Sequence, residues 1–257
     1  MICKRLQNKV AVVTGASQGI GRAIALRLSK EGATIIATYR GNKAGANSLI
    51  QEIEDVGGVG ISYYANFCDK HGVSSFIGSI IERFGRIDTL VNNAGTIEKS
   101  HILDFCEDDF LNSYRTNVMV PLLLTQEVGR HMRSNDINGS IINISSIRSH
   151  SAQTGRVAYC CSKAALNMLT KCSALELSAF GIRVNCIEPG LTATGMNADL
   201  PDRNPEEWQS RVKKIPLGRA GKSDDYEGIA AYLASDESKW VTGAIINIDG
   251  GHSLVNF

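Results

Sequence analysis

The stretch Lys9–Gly32, KVAVVTGASQGIGRAIALRLSKEG, constrains the fold of this chain more than any other. Val10–Val13 is a short β-branched, apolar run, the pattern of a strand buried on both faces. Ile20, Ile24 and Leu28 recur at helical spacing, as in a helix packing one face on a sheet. Between them, Thr14–Gly21 is a glycine-rich turn. A tight turn from a strand into a helix N-terminus is an anion site, because free backbone N–H groups and the positive end of the helix dipole point out of it. Gly15, Gly19 and Gly21 carry no β-carbon, which lets a pyrophosphate approach the backbone. The spacing is G-x-x-x-G-x-G rather than G-x-G-x-x-G, but its strand-and-helix context points to a dinucleotide.

The same alternation runs through the chain. Further strands are expected at Thr34–Thr38, Gly60–Ala65, Thr89–Asn92, Ser140–Ile144, Arg183–Ile187 and Ile245–Ile248. Helical patterns fall near Ala44–Val56 and Gly72–Phe84, from about Glu107 to Met132 with a bend or break near Pro121, and over Tyr159–Phe180. Repeated strand–helix–strand units give an α/β fold, a seven-stranded parallel sheet with helices on both faces. Its ligands sit at the carboxyl ends of the strands, near the switch point. With no linker or repeat, residues 1–257 are expected to form one domain. Residues 190–216, rich in Pro, Asp and Asn, break the alternation and are too long for a passive connection. They are expected to form a lid over the site, with a short helix at Glu206–Lys214.

Composition removes several partners. Lys and Arg number 27 against 26 Asp and Glu, with no basic block, which argues against nucleic acid or an anionic membrane surface. No apolar run reaches membrane-spanning length, and MICKRLQNK lacks the apolar core of a signal peptide. The cysteines Cys3, Cys68, Cys106, Cys160, Cys161, Cys172 and Cys186 include no C-x-x-C pair. They are expected to be small buried hydrophobes of a reducing cytoplasm. The histidines form no ligand pattern, so no metal site is expected.

Tyr159 and Lys163 stand four apart at the start of a long helical pattern, hence on one face and one turn apart. A free phenol titrates near pH 10, and a neighbouring ammonium lowers that value and makes proton transfer usable. Ser145 and Ser146 close the fifth strand, where the ligand edge should lie. Taken alone, these residues also suit a surface pair and a polar strand end.

Together with TGASQGIG at Thr14–Gly21, NNAG at Asn92–Gly95, Asn117 in RTNV, ISS at Ile144–Ser146, YCCSK at Tyr159–Lys163 and PG at Pro189–Gly190 followed by Thr194, they fall into a known order. The chain resembles the short-chain dehydrogenase/reductase family over nearly its whole length, and is similar to its 3-oxoacyl-acyl-carrier-protein reductases and glucose 1-dehydrogenases. PLGR at Pro216–Arg219, YLASDES at Tyr232–Ser238 and the stretch ending at Gly251 extend the likeness.

The resemblance implies a doubly wound Rossmann fold and a set of roles. Tyr159 would exchange a proton with the substrate oxygen, and Lys163 would hold the nicotinamide ribose and lower the tyrosine pKa. Ser146, thirteen residues before the tyrosine, would polarise the same oxygen. Asn117 would hold a water linking Lys163 to solvent. Gly15, Ser17, Gln18, Gly19, Ile20 and Gly21 would form the phosphate turn. Asn93, Ala94 and Gly95 would line the adenine-ribose side, and Asn66 and Phe67 would border adenine. Pro189, Gly190, Thr192 and Thr194 would face the nicotinamide. The polar segment between Ser146 and Tyr159, with Arg148, His150 and Arg156, would help form the substrate pocket, His150 itself reading as a solvated loop histidine.

Three expectations follow. The chain should be an NADP(H)-dependent oxidoreductase of a ketone, such as a 3-oxoacyl thioester, or of a related secondary alcohol. A sugar or polyol dehydrogenase is the alternative, and a non-catalytic dinucleotide-binding regulator is disfavoured by the intact Asn117, Ser146, Tyr159 and Lys163. NADP(H) is favoured over NAD(H) because Tyr39 stands where NAD-specific relatives place an acid and Arg40 follows, ready to hold a 2′-phosphate. The helical regions Glu107–Met132 and Tyr159–Phe180 are apolar on more than one face, and in the family these helices form the contacts of a homotetramer.

Overall fold

Val10–Val13 (β1) is the third strand of a seven-stranded sheet whose order is β3-β2-β1-β4-β5-β6-β7, with every neighbouring pair parallel. The computed structural model describes residues 4–67, 70–194 and 200–255. The other strands are β2 (Thr34–Tyr39), β3 (Val59–Tyr64), β4 (Thr89–Asn92), β5 (Ser140–Ile144), β6 (Arg183–Pro189) and β7 (Ile245–Ile248). All seven fall within two residues of their expected bounds.

Alternation along β1 divides the core in two. Ala11 and Val13 pack with Ile24 and Leu28 of α1 (Gly19–Lys30), with Leu49 and Ile53 of α2 (Lys43–Asp55), and with a helix near the C-terminus. Val10 and Val12 pack on the other face, with Phe76 and Ile80 of α3 (Lys70–Phe84) and with Leu124 and Val128 of a later helix. A strand covered on both sides needs apolar residues at every position, which is why β1 shows no polar alternation. The chain winds from β1 outward to β3, then restarts at β4 on the other side of β1. The carboxyl ends of β1 and β4 therefore diverge and leave a crevice between them.

The region from Glu107 to Met132 is broken just ahead of Pro121, in line with the expected bend or break. It is α4 (Glu107–Tyr114), a π-helical turn at Arg115–Met119, and α5 (Val120–Ser134). Pro121 has no N–H for the Asn117 carbonyl four residues back, and its ring crowds that carbonyl. The ladder re-registers upstream, where the N–H of Val120 bonds to the carbonyl of Arg115. Tyr159–Phe180 begins earlier than expected, as α6 (Val157–Leu177), and ends in a 3-10 turn at Ser178–Phe180. Residues 227–234, given no element by the sequence reading, form α9 (Glu227–Ala234), which buries Ala230, Ala231 and Leu233. It is apolar almost all round, so it offers no amphipathic period to read.

After β6 the chain forms two short helices, α7 (Leu200–Arg203) and α8 (Pro205–Val212), the second overlapping the helix expected at Glu206–Lys214 and starting one residue earlier. The expected lid also includes residues 195–199, which lie outside the described residues. The cysteines are corrected too. Of those described, only Cys186 is buried, while Cys106, Cys161 and Cys172 are exposed. Cys3 and Cys68 lie outside the described residues.

Candidate active site

The glycine turn is held to the end of β4 by Thr14 and Asn93. The Thr14 hydroxyl accepts from the N–H groups of Asn93 and Ala94 at 2.9 and 3.0 Å. The Asn93 amide in turn donates to the carbonyls of Thr14 and Gly15 at 2.9 and 3.1 Å. Gly15 and Gly19 have φ of +63° and +59°, in the left-handed region, which glycine occupies without strain. Gly21 has a different reason from the one expected. A β-carbon there would strike the Asn93 amide and lie 2.8 Å from the Gly15 carbonyl. Its missing side chain serves packing inside the turn rather than the approach of a phosphate.

Helix α1 begins without a side-chain cap and with no acid in its first turn. Its free N–H groups are left for a ligand, and Ser17, Gln18, Gly19 and Ile20 line a cavity of about 1180 Å³. Gln18 itself accepts from the Asn42 amide at 3.4 Å. Tyr39 and Arg40 at the end of β2, and Asn66 and Phe67 beyond β3, line the same cavity. The Tyr39 ring meets Tyr64 edge-on at 5.9 Å, and Phe67 packs on Phe76 at 5.2 Å. Arg40 is exposed. An uncapped helix start, a turn held open by glycines at positive φ and an exposed guanidinium fit the phosphates of a dinucleotide.

On the other side of the crevice, Ser146, Tyr159 and Lys163 come together. The Lys163 ammonium is 5.7 Å from the centre of the Tyr159 ring and donates to the Ile144 carbonyl at 2.8 Å. Burial lowers its pKa to about 8. Burial also raises the pKa of Tyr159, opposed by a hydrogen bond with Ser146 and by the charges of Arg156 and Arg148. The phenol therefore stands above its ordinary value rather than below it, because desolvation outweighs the charges of Arg156 and Arg148. Ser145 and Ser146 both line the cavity, and the Ser145 hydroxyl is spent on the Lys163 carbonyl at 3.1 Å.

Asn117 is fully buried in the π turn. Its amide donates to the Thr96 carbonyl at 3.0 Å and to the Ser162 hydroxyl at 2.9 Å, and its oxygen accepts from the Thr96 N–H at 2.9 Å. Both amide protons are spent, so the side chain is a clip between the end of β4 and α6. Gly95 lets the clip close, since a β-carbon there would sit 3.1 Å from the Asn117 oxygen and 3.7 Å from the Lys163 ammonium.

Pro189, Gly190, Thr192 and Thr194 all line the cavity, with Thr194 over Gly19. The Thr192 hydroxyl is taken by the Gly190 carbonyl at 3.1 Å and by the Tyr226 hydroxyl. That pairing holds the strap after β6 in place. His150 is exposed and absent from the cavity wall, with Nδ1 3.3 Å from the buried carboxylate of Glu188. Glu188 also accepts from Ser149 and from Asn167, tying the loop after β5 to β6. Nothing local in the sequence marks Thr96, Ser162 or Glu188, because their partners are distant in the chain.

Arg203, Glu207, Arg211 and Lys214, none of them singled out from the sequence, bring the segment after β6 onto the cavity beside Arg148 and Arg156.

Comparison with known proteins gives one consistent picture. The family model described as enoyl-(acyl-carrier-protein) reductase matches residues 15–253. The 3-oxoacyl-(acyl-carrier-protein) reductase FabG of Thermotoga maritima is 38% identical over 247 residues, 96% of this chain and 98% of that one. Glucose 1-dehydrogenase 2 of Bacillus subtilis is 35% identical over 254 residues, 98% and 97% of the two chains. A candidate NAD(P)-dependent gluconate 5-dehydrogenase from Beutenbergia cavernae, solved with NADP bound at low occupancy, superposes with a TM-score of 0.92. It is 31% identical, over 98% of this chain and 99% of that one.

Proposed function

The chain belongs to the short-chain dehydrogenase/reductase family and is an NAD(P)-dependent oxidoreductase; from that premise we propose that it moves a hydride between NADP(H) and a ketone or secondary alcohol. The observation that carries this reading is the meeting of Ser146, Tyr159 and Lys163 on one wall of a cavity whose other wall is the open N-terminus of α1. The nicotinamide, when bound, supplies or accepts the hydride. The residues do the rest. Ser146 and Tyr159 aim donors at the substrate oxygen, where charge develops. In reduction, the protonated phenol of Tyr159 delivers its proton to that oxygen. In oxidation it takes the proton back. Lys163 holds the nicotinamide ribose, and Asn117 fixes the floor under it. Pro189, Gly190 and Thr194 enclose the nicotinamide side.

Tyr39 and Arg40 support NADP(H) over NAD(H): no acid repels a 2′-phosphate, and Arg40 reaches the cavity rim. Of the two substrate classes expected, a sugar or polyol suits the wall better than an acyl chain, because charged side chains line it so densely. Residues 190–216 act as a lid within a single domain spanning 1–257. The free thiols suit a reducing cytoplasm, and no helix of the described residues is long and apolar enough to cross a membrane. A homotetramer is the assembly the exposed apolar face of α6 supports.

The test is a panel of ketones with NADPH, run in reverse with alcohols and NADP+, on wild type, Tyr159→Phe and Arg40→Ala. Tyr159→Phe is expected to lose about 10²–10⁴ in turnover while NADPH binding holds. Arg40→Ala is expected to erase a preference for NADPH of about ten- to a hundredfold, the worth of one charge-assisted contact. Turnover of Tyr159→Phe within a few-fold of wild type, or equal binding of NADH by wild type, overturns the corresponding assignment.

A further inference from the structure

The chain as a whole is nearly neutral, with 27 basic and 26 acidic residues. The cavity wall is not. Among its described lining residues are eight lysines and arginines and one carboxylate, Glu207. Arg40 and Lys163 belong to the dinucleotide side. Arg148 and Arg156 lie elsewhere, in the loop after β5 and at the start of α6, and Arg211 enters from α8.

Three observations set this group apart. Burial disfavours the charged forms of Arg148 and Arg156, and the nearby charge of Arg211 adds to that cost for both. The charges of Arg148 and Arg156 also reach the Tyr159 phenol, so the cluster borders the reacting oxygen. Finally, the Nη1 atom of Arg156 is buried and has no hydrogen-bond partner. A buried charged donor left unpaired is costly to a fold, and so are like charges gathered in one place. The single acid of the wall does not answer this, since Glu207 is paired with Arg211 and accepts from the Asn204 amide at 3.0 Å.

Taking the hydride-transfer reading as its basis, we propose that Arg156, flanked by Arg148 and Arg211, is the anchor for an anionic group, carboxylate or phosphate, of a polyhydroxylated substrate whose carbinol lies at Tyr159. A planar guanidinium pairs two oxygens of such a group at once, which fixes the substrate's orientation as well as its affinity. The anion takes no part in the chemistry. During oxidation the carbinol C–H bond breaks with its electron pair going to NADP+, and the O–H proton passes to Tyr159. The alcohol becomes a ketone, NADP+ becomes NADPH, and the anionic group leaves unchanged. The lid helix α8 contributes Arg211, so the anchor is assembled from both sides of the cavity.

The experiment compares probes that share one carbon skeleton: gluconate, glucitol 6-phosphate and glucitol. Each is titrated calorimetrically into the enzyme with NADP+ and assayed for NADP+ reduction, on wild type, Arg156→Met and Arg156→Lys. The neutral acetoacetyl thioester of N-acetylcysteamine, with NADPH, serves as the control for hydride transfer. NADPH fluorescence titration reports whether each variant is folded. At least one anionic probe is expected to exceed glucitol by about tenfold or more in affinity and in kcat/KM. Arg156→Met is expected to remove that advantage and Arg156→Lys to keep part of it. Whichever anion wins identifies the group. Glucitol handled as well as both anions, or an advantage that survives Arg156→Met, overturns the anchor. Turnover of the thioester with none of the polyols overturns the anchor and leaves the hydride-transfer reading standing. Failure of all four probes in a protein that binds NADPH overturns both.

Discussion

Lys163 holds a charge where burial opposes it, and this gives the site a stability cost that can be measured. The residue is 5% exposed, and its ammonium donates to the Ile144 carbonyl. Burial takes its pKa from 10.5 to about 8, which corresponds to about 3 kcal/mol against the folded state. The sign follows from proton counting. Below pH 8 both states carry the proton and the cost is fully present. Between pH 8 and 10.5 the unfolded chain holds a proton that the folded protein has shed, so this residue's contribution to stability rises with pH across that window. Lys163→Met, which keeps the shape and removes the charge, is expected to stabilise the free protein at pH 7 by up to about 3 kcal/mol while abolishing turnover. That advantage should shrink toward pH 10. Urea unfolding of both proteins at pH 7 and pH 10 checks it, and a variant less stable at pH 7 would refute the cost assigned to Lys163.

At the scale of elements, the site depends on clips between segments far apart in sequence. The first turn of α1 packs on Asn93, which holds the turn after β1 against the end of β4. Gly21→Ala places a methyl against the Asn93 amide and the Gly15 carbonyl. Overpacking of this kind costs about 1–3 kcal/mol. Because the clip also shapes the phosphate turn, NADPH affinity should fall with stability in the same variant. A substitution that lowers neither would place the glycine among the merely tolerated residues. The π turn at Arg115–Met119 is the second such device, since it carries Asn117 to Thr96 and Ser162 at once.

At the scale of the whole molecule, one surface is out of keeping with a lone subunit. Cys161, Met168, Cys172 and Leu175 are exposed and follow a single stripe of α6. Met168 and Leu175 are 58% and 79% exposed, and Leu111 of the adjoining α4 is 55% exposed. A contiguous apolar patch of this kind calls for a partner, and a second copy meeting it across a two-fold axis satisfies both copies alike. Light scattering at micromolar concentration is expected to report a homotetramer. Met168→Glu combined with Leu175→Glu should yield smaller species. A monomeric wild type would refute the assignment.

The sequence alone determined what depends on neighbours in the chain. The buried strand of Val10–Val13, the glycine turn after it, the seven-strand alternation and the placing of Tyr159 one turn from Lys163 are all local patterns, legible because a strand or a helix fixes the geometry of residues two to four apart. Tertiary structure alone decided the rest. It set Gly21 against Asn93, spent the Asn117 amide on Thr96 and Ser162, raised the Tyr159 pKa where a lowered one was expected, and recruited Arg211 to Arg148 and Arg156. Burial and pairing across the sheet govern those outcomes, and both are properties of how distant segments meet, which no periodicity records.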